Sequence, residues 1–175
     1  MSESLRSRIR EVADFPQPGV RFYDITTILQ DPESFHQAVD LMASYFAGAQ
    51  VDVVVGMESR GFIFGAPIAY LLNAGFAPIR KLGKLPAEKI SRQYTLEYGA
   101  NTLEMHRDAV RPGQRVLLVD DLLATGGTVA ASIDMVSELG GVPVAVAVLV
   151  ELPQLGGRER LKPSDIEFVS FITFE

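Results

Sequence analysis

Between Val116 and Thr128, four apolar residues lead into two adjacent carboxylates, Asp120 and Asp121, and then into a loop with paired glycines, Gly126 and Gly127. A helix-like segment follows at once. An apolar run bounded by a turn is a buried strand. A strand that passes straight into a helix is half of a crossover, and crossovers build parallel sheets covered by helices. The loop also has a chemistry. Glycines let backbone N–H groups turn inward, Thr125 and Thr128 add hydroxyls, and the helix start contributes its dipole, so Ala124, Thr125, Gly126, Gly127 and Thr128 form a candidate monophosphate cradle. No lysine stands in the loop, which separates it from a triphosphate-binding P-loop. Two carboxylates beside a phosphate would repel it unless they serve something else, and ribose hydroxyls, as donors, suit them. A simpler reading has the aspartates capping a helix and the glycines turning the chain. It explains a lone Gly-Gly but not the whole run.

The rest of the chain repeats the alternation. Leu5, Ile9 and Val12 recur at helical spacing and predict a short helix over the first dozen residues, ended by the prolines and glycine of Phe15–Gly19. Asp31 and Pro32 read as an N-cap and first helical position, with Phe35, Val39, Met42 and Phe46 on one face and Gly48 closing the helix. Strands are predicted at Val51–Val55, Phe76–Arg80, Arg115–Val119, Val142–Val150 and Ile166–Ile172. Helices are predicted at Gly61–Asn73 and Thr128–Leu139. Residues 82–112 differ: lysines, tyrosines, glycines and short alternating stretches predict an exposed hairpin or mobile flap. In a parallel sheet of this kind, ligands bind where strand C-terminal ends meet helix N-termini.

Bulk properties narrow the classes. With 175 residues the chain suits one domain with a buried core. The longest apolar stretch, Val142–Val150, is nine residues and far below a membrane span, and the first residues lack a signal peptide's apolar run. No membrane partner and an intracellular setting are therefore expected. Zero cysteines and two distant histidines argue against thiolate or zinc sites. A net charge of −6 argues against nucleic-acid binding, which needs a positive field, but not against a small anion held by a local cluster.

One such cluster follows the strand at Val51–Val55. Ser59 and Arg60 open the next helix, and a cation there is unfavourable for the dipole, which points to a task for it; the guanidinium fork suits phosphate oxygens. After the next strand, Arg80, Lys81 and Lys84 form the densest positive segment. A solvated surface is the plain alternative, but two converging anion sites favour pyrophosphate. Phe22, flanked by Val20 and with the Arg21 backbone beside it, is a candidate face for a flat base, as against ordinary packing; Ile25 reads as core.

The run ending at Thr128 resembles the signature of the type I phosphoribosyltransferases. Five segments, Phe15–Ile25, Ser59–Phe62, Arg80–Pro86, Tyr94–Gly99 and Val119–Thr128, occur in the order seen in the adenine phosphoribosyltransferase family and span nearly the whole chain. The resemblance implies an α/β fold, with a central, mainly parallel sheet flanked by helices on both faces, a flexible flap over 82–112 and a small N-terminal hood over 1–30, all in one domain, 1–175. It implies transfer of the phosphoribosyl group of 5-phosphoribosyl 1-pyrophosphate to adenine, giving AMP and pyrophosphate in purine salvage. By matching position, Ala124–Thr128 take the 5-phosphate, Asp120 and Asp121 the ribose hydroxyls, Ser59, Arg60, Arg80, Lys81 and Lys84 the pyrophosphate, and Val20, Arg21 and Phe22 the adenine. Glu97 matches the family's acid/base near adenine N7, and Tyr98 packs over the site when the flap shuts. Without that match, Glu97 would read as an exposed strand glutamate. Mg²⁺ is the implied cofactor, carried by the substrate with no direct protein ligand. A homodimer in the cytoplasm is also implied. Tyr23 departs from the pattern, standing where some members carry arginine, which bears on the base pocket if that side chain matters.

Three other readings remain open on sequence. One is the same reaction on hypoxanthine, guanine or xanthine. Another is a non-catalytic sensor of phosphoribosyl pyrophosphate that binds nucleic acid, which the negative charge disfavours. A dinucleotide-binding domain is the weakest, since no G-x-G-x-x-G follows an early strand.

Overall fold

The computed structural model describes residues 2–96 and 99–175, without the side chains of residues 95, 96, 99 and 100. Seven strands form the main sheet: β3 (Val53–Met57), β4 (Gly75–Lys81), β5 (Lys89–Leu96), β6 (Gly99–His106), β7 (Arg115–Leu123), β8 (Val142–Glu151) and β9 (Glu167–Thr173). Their order is β5-β6-β4-β3-β7-β8-β9. The five from β4 to β9 run parallel, and β6 and β5 continue the sheet antiparallel as a hairpin. The sheet is thus mainly parallel, and the hairpin falls inside the segment read as a flap.

Side-chain alternation divides the core. Val54, Leu117, Val119, Ala145 and Ala147 point to one face, where they meet α3 (Pro32–Tyr45) and α4 (Gly61–Leu71). Val53, Val55, Val116, Leu118 and Val146 point to the other, under α5 (Gly127–Glu138), with Leu161 of the short α6 (Gly157–Leu161). Helices on both faces follow from strands that are apolar at every position, because each face must be covered. The start of α3 is set as its sequence requires: Asp31 is extended and its carboxylate accepts the Ser34 N–H at 2.9 Å, with Pro32 in the first turn.

The N-terminus differs from the sequence expectation. The helix α1 stops at Arg6, having covered Ser2–Arg6, and β1 (Arg10–Val12) pairs antiparallel with β2 (Phe22–Asp24). Leu5 and Ile9 are buried as their spacing required, but Val12 is only half-buried. The pairing of Val12 with Phe22, and of Arg10 with Asp24 through Nε–H to Oδ2 at 3.1 Å, replaces a further helical turn. A four-residue helix, α2 (Thr26–Leu29), then leads toward α3. Ile25 is core, as expected.

The ends of β3, β4 and β7 lie side by side on the C-terminal edge of the sheet. That edge carries Ser59, Arg60, Lys81, Asp120 and Asp121 from the residues singled out by sequence.

Candidate active site

The strand β7 was expected to end at Val119 and instead continues to Leu123, because its ladder with β8 continues to the pair Leu123–Glu151. The aspartate pair is therefore held by strand backbone rather than by a loop. Asp121 is buried, and the Nε–H of Arg60 donates to its Oδ2 at 2.6 Å. The N–H of Asp121 donates to Asp120 Oδ1 at 2.9 Å. Burial, and then the neighbouring charge of Asp121, push the Asp120 carboxyl well above the ordinary carboxylate range; the Asp121 N–H and Arg60 offset this only in part. Such a carboxyl suits hydroxyls, and two adjacent carboxylates suit a vicinal pair of them.

The loop after β7 turns through Gly126, whose φ of +77 is left-handed and costs glycine little. No side chain caps α5. Ala130 N–H bonds Gly126 O at 2.9 Å, so by helix geometry the N–H groups of Gly127, Thr128 and Val129 precede the first intrahelical bond. These donors, with the dipole behind them, make a candidate anion site that uses no cation.

The second candidate anion site is built from side chains. Beyond β3 come Glu58, Ser59 and Arg60, and beyond β4 come the lysines. Glu58 was not singled out by sequence, yet it organises this corner. Its side chain is almost wholly buried, and it accepts the Lys81 N–H at 2.9 Å, Lys84 Nζ at 2.9 Å and Arg80 Nε at 3.4 Å. Burial alone would raise its carboxyl; those hydrogen bonds overcome this and bring it down to about 2. The signal was present in Met57-Glu58-Ser59-Arg60: an acid at a strand end next to an anion site needs a partner, by the logic applied to Asp120 and Asp121. The Arg60–Asp121 contact was missed as well. Among the described residues, only Nε of the Arg60 guanidinium has a hydrogen-bond partner, leaving both Nη groups with none.

A cavity of about 320 Å³ opens at this edge, lined by Ser59, Arg60, Lys81, Asp120, Asp121 and Thr128. Glu58 forms part of its wall, and Tyr94 and Asn101 close it from the β5–β6 hairpin, two residues sequence reasoning did not single out. Concavities of 380 and 350 Å³ elsewhere include none of these residues. Arg80 and Lys84 stand behind the cavity, tied to it through Glu58. Ala124–Gly127 adjoin it along the chain from Thr128. Phe22 reaches it indirectly: the Arg60 guanidinium carbon lies 5.7 Å from the centre of its ring, and the Phe15 ring meets Phe22 edge-on at 5.2 Å. Val20 and Arg21 do not line the cavity; the Val20 backbone is used in the turn with Phe15 and Gln17, and Arg21 pairs with Glu11 at 3.5 Å. Tyr23 is buried and stacks on Phe174 with centres 4.2 Å apart, so its side chain belongs to the core. Glu97 and Tyr98 lie outside the described residues.

Comparison with known proteins finds relatives over nearly the whole chain. The phosphoribosyl transferase domain model matches residues 24–174. The adenine phosphoribosyltransferase of Symbiobacterium thermophilum is 54% identical over 169 residues, covering 97% of this chain and 98% of its own. The crystal structure of adenine phosphoribosyltransferase from Thermoanaerobacter pseudethanolicus superposes with a TM-score of 0.95 at 47% identity, covering 99% of this chain and 100% of the other. That of the Saccharomyces cerevisiae enzyme, a complex containing adenine, gives 0.90 at 33% identity, with 97% of both chains covered.

Proposed function

The chain belongs to the adenine phosphoribosyltransferase family, a family of transferases in purine salvage, and we propose that the cavity at the ends of β3, β4 and β7 is where it joins adenine to phosphoribosyl pyrophosphate. The enzyme transfers the phosphoribosyl group of 5-phosphoribosyl 1-pyrophosphate to adenine, giving AMP and pyrophosphate. The observation that supports the placement is a single cavity lined by Ser59, Arg60 and Lys81 together with Thr128 and the aspartate pair, with Arg60 on Asp121.

In this reading the N–H groups and hydroxyls of Ala124–Thr128 hold the 5-phosphate, and Asp120 and Asp121 accept from the ribose hydroxyls. Ser59, Lys81 and the free Nη groups of Arg60 face the pyrophosphate, with Arg80 and Lys84 supporting them. The bond from the anomeric carbon to the pyrophosphate oxygen breaks as adenine N9 forms its own, and the purine gives up one proton. Positioning and electrostatics supply most of the acceleration, since the protein forms no covalent bond itself. Glu97 handles the purine proton near N7, and Tyr98 and the hairpin exclude water from the reactive carbon. Adenine sits against Phe22 in the N-terminal hood, residues 1–30, with Val20 and Arg21 beside it.

Mg²⁺ fits this cavity as a substrate-borne ion. The carboxylates on the wall are engaged with Arg60, Lys84, Arg80 and the Asp121 N–H, and Mg²⁺ keeps several waters and takes its other oxygens from phosphate. When bound it neutralises charge on the departing pyrophosphate.

A homodimer is supported by α4. Its eleven residues carry no charge, yet Ile63, Tyr70 and Leu71 are exposed, as is Phe76 of β4, whose ring meets Phe62 of the helix edge-on. An apolar helix of that kind needs a cover, and a second copy supplies it. Sedimentation at the mass of two chains is expected; a single-chain mass would contradict it. No helix among the described residues is long and apolar enough to cross a membrane. A cytoplasmic setting suits a chain with zero cysteines.

Incubation with phosphoribosyl pyrophosphate, Mg²⁺ and each purine in turn tests the assignment. AMP from adenine is expected, with EDTA abolishing turnover. Faster turnover of hypoxanthine than of adenine would overturn the choice of base.

A further inference from the structure

Ala124 to Gly126 make the turn from β7 into α5, and the N–H groups of an anion cradle must be held in place to bind well. What holds them is a second segment thirty residues on. Gly126 and Gly157 meet backbone to backbone: a Cβ on Gly126 would lie 2.9 Å from Gly157 O. A Cβ on Gly157 would overlap Ala124 O and come within 2.8 Å of Leu123 Cγ and 3.1 Å of Gly126 N. Gly157 is buried and opens α6, a helix of only five residues that cannot hold its own position.

Two contacts fix α6 from opposite ends. Leu161 enters the core beneath α5. Arg158 forms a two-pronged pair with Glu151 at the end of β8, Nε to Oε1 at 2.9 Å and Nη2 to Oε2 at 2.6 Å. Glu151 is buried and also accepts the Ser170 hydroxyl of β9 at 2.6 Å. The Arg158 guanidinium lies over the Phe168 ring at 4.4 Å. A planar fork on a buried carboxylate fixes orientation as well as distance. The residue after Glu151 completes the link, since the Leu152 N–H donates to Leu123 O at 3.0 Å, one residue before the cradle.

We propose that Gly157, held by the Arg158–Glu151–Ser170 cluster, is a positioning residue that buttresses the 5-phosphate cradle from behind and sets the aim of its N–H groups. The inference rests on the reading of Ala124–Thr128 as the 5-phosphate site. It predicts that damage at α6 is felt by ligands carrying a 5-phosphate and not by pyrophosphate, although none of these side chains lines the active-site cavity.

The test measures dissociation constants of the full-length protein for AMP, ribose 5-phosphate and, with Mg²⁺, pyrophosphate. Gly157→Ala inserts one methyl group between α6 and the loop and should weaken AMP and ribose 5-phosphate by about tenfold or more, the usual scale for overpacking a close contact. Pyrophosphate binding should stay within about twofold, a level at which the change in binding free energy is negligible. The double variant Glu151→Gln, Arg158→Gln removes the anchor without leaving a buried charge unpaired. It should shift the same two ligands by a smaller factor, and it decides the matter alone if Gly157→Ala does not fold. Arg158→Lys with Glu151 intact should recover part of the loss. Unchanged AMP and ribose 5-phosphate binding in a folded variant overturns the proposal, as does an equal loss of pyrophosphate. Gly126→Val serves as the control: if it too leaves AMP binding unchanged, the 5-phosphate assignment itself is wrong.

Discussion

The two proposed anion sites differ in kind: the start of α5 presents backbone N–H groups and two hydroxyls, and the ends of β3 and β4 present Arg60, Arg80, Lys81 and Lys84. Among the described residues, no ion pair or carboxylate hydrogen bond ties up Ala124–Thr128. In the second, three of the four cationic side chains already hold carboxylates: Arg60 is on Asp121, and Arg80 and Lys84 are on Glu58. On the proposed reading the cradle is complete before ligand arrives, whereas the cationic end is shared with the protein's own acids. That division suits a reaction in which the 5-phosphate stays bound from substrate to product while the pyrophosphate must leave. Cations with internal partners can release an anion without being left bare in a partly buried site.

The largest expected effect lies at neither end. Glu97→Gln should lower turnover by ~10²-fold or more when chemistry is limiting, leaving binding of phosphoribosyl pyrophosphate nearly unchanged. Near wild-type turnover would remove the proton-handling role and leave the flap only a water-excluding one.

Gly126→Val attacks the preformed end. A side chain at φ +77 is strained and would meet Gly157 O, so AMP and phosphoribosyl pyrophosphate should both weaken, by roughly 2–4 kcal/mol in isothermal titration. Pyrophosphate alone should bind as before. If it weakened equally, the two ends would not be separate sites.

Arg60→Ala attacks the other end. Loss of one charge-assisted contact should cost roughly 1.5–3 kcal/mol for phosphoribosyl pyrophosphate and pyrophosphate. AMP should lose less, through the unpaired Asp121 alone. Equal loss for AMP would mean that Arg60 serves the ribose-binding Asp121 and not the leaving group.

The smallest effect concerns stability. The raised Asp120 carboxyl keeps its proton in the folded protein at pH values where the unfolded chain gives it up. Folding therefore takes up a proton in that window, and its stability falls as pH rises from the ordinary carboxylate range through the raised folded value. Asp120→Asn abolishes that slope. The variant should be stabler at neutral pH by on the order of 1 kcal/mol, with weaker AMP binding, in denaturant titrations at two pH values. A gap that narrows with rising pH would contradict the sign.

Much of this architecture is legible in the sequence, because local chemistry dictates it. Asp31 and Pro32 mark the start of α3, and uninterrupted apolar runs mark β3, β7 and β8. The errors arise where a distant partner decides. Residues 10–12 fit a helical period, but their pairing with Phe22–Asp24 turns them into β1. The extension of β7 past the aspartates depends on β8. The same holds at the site. The cradle and the aspartate pair are contiguous in sequence and readable together, whereas Arg60 and Asp121 are 61 residues apart and Arg80 and Glu58 are 22 apart. Residue types alone do not show which cation an acid will hold, so the cationic end reads as four free charges when it is a paired network.

The claim that one end is preformed and the other exchanges partners can be observed directly by nitrogen NMR of Arg60 Nε, Arg80 Nε and Lys84 Nζ during titration with AMP and, separately, with pyrophosphate and Mg²⁺. Pyrophosphate should shift all three signals as the ligand draws on cations that Asp121 and Glu58 also hold, and AMP should leave Arg80 and Lys84 where they are. Equal shifts with both ligands, or none with saturating pyrophosphate, would contradict the account.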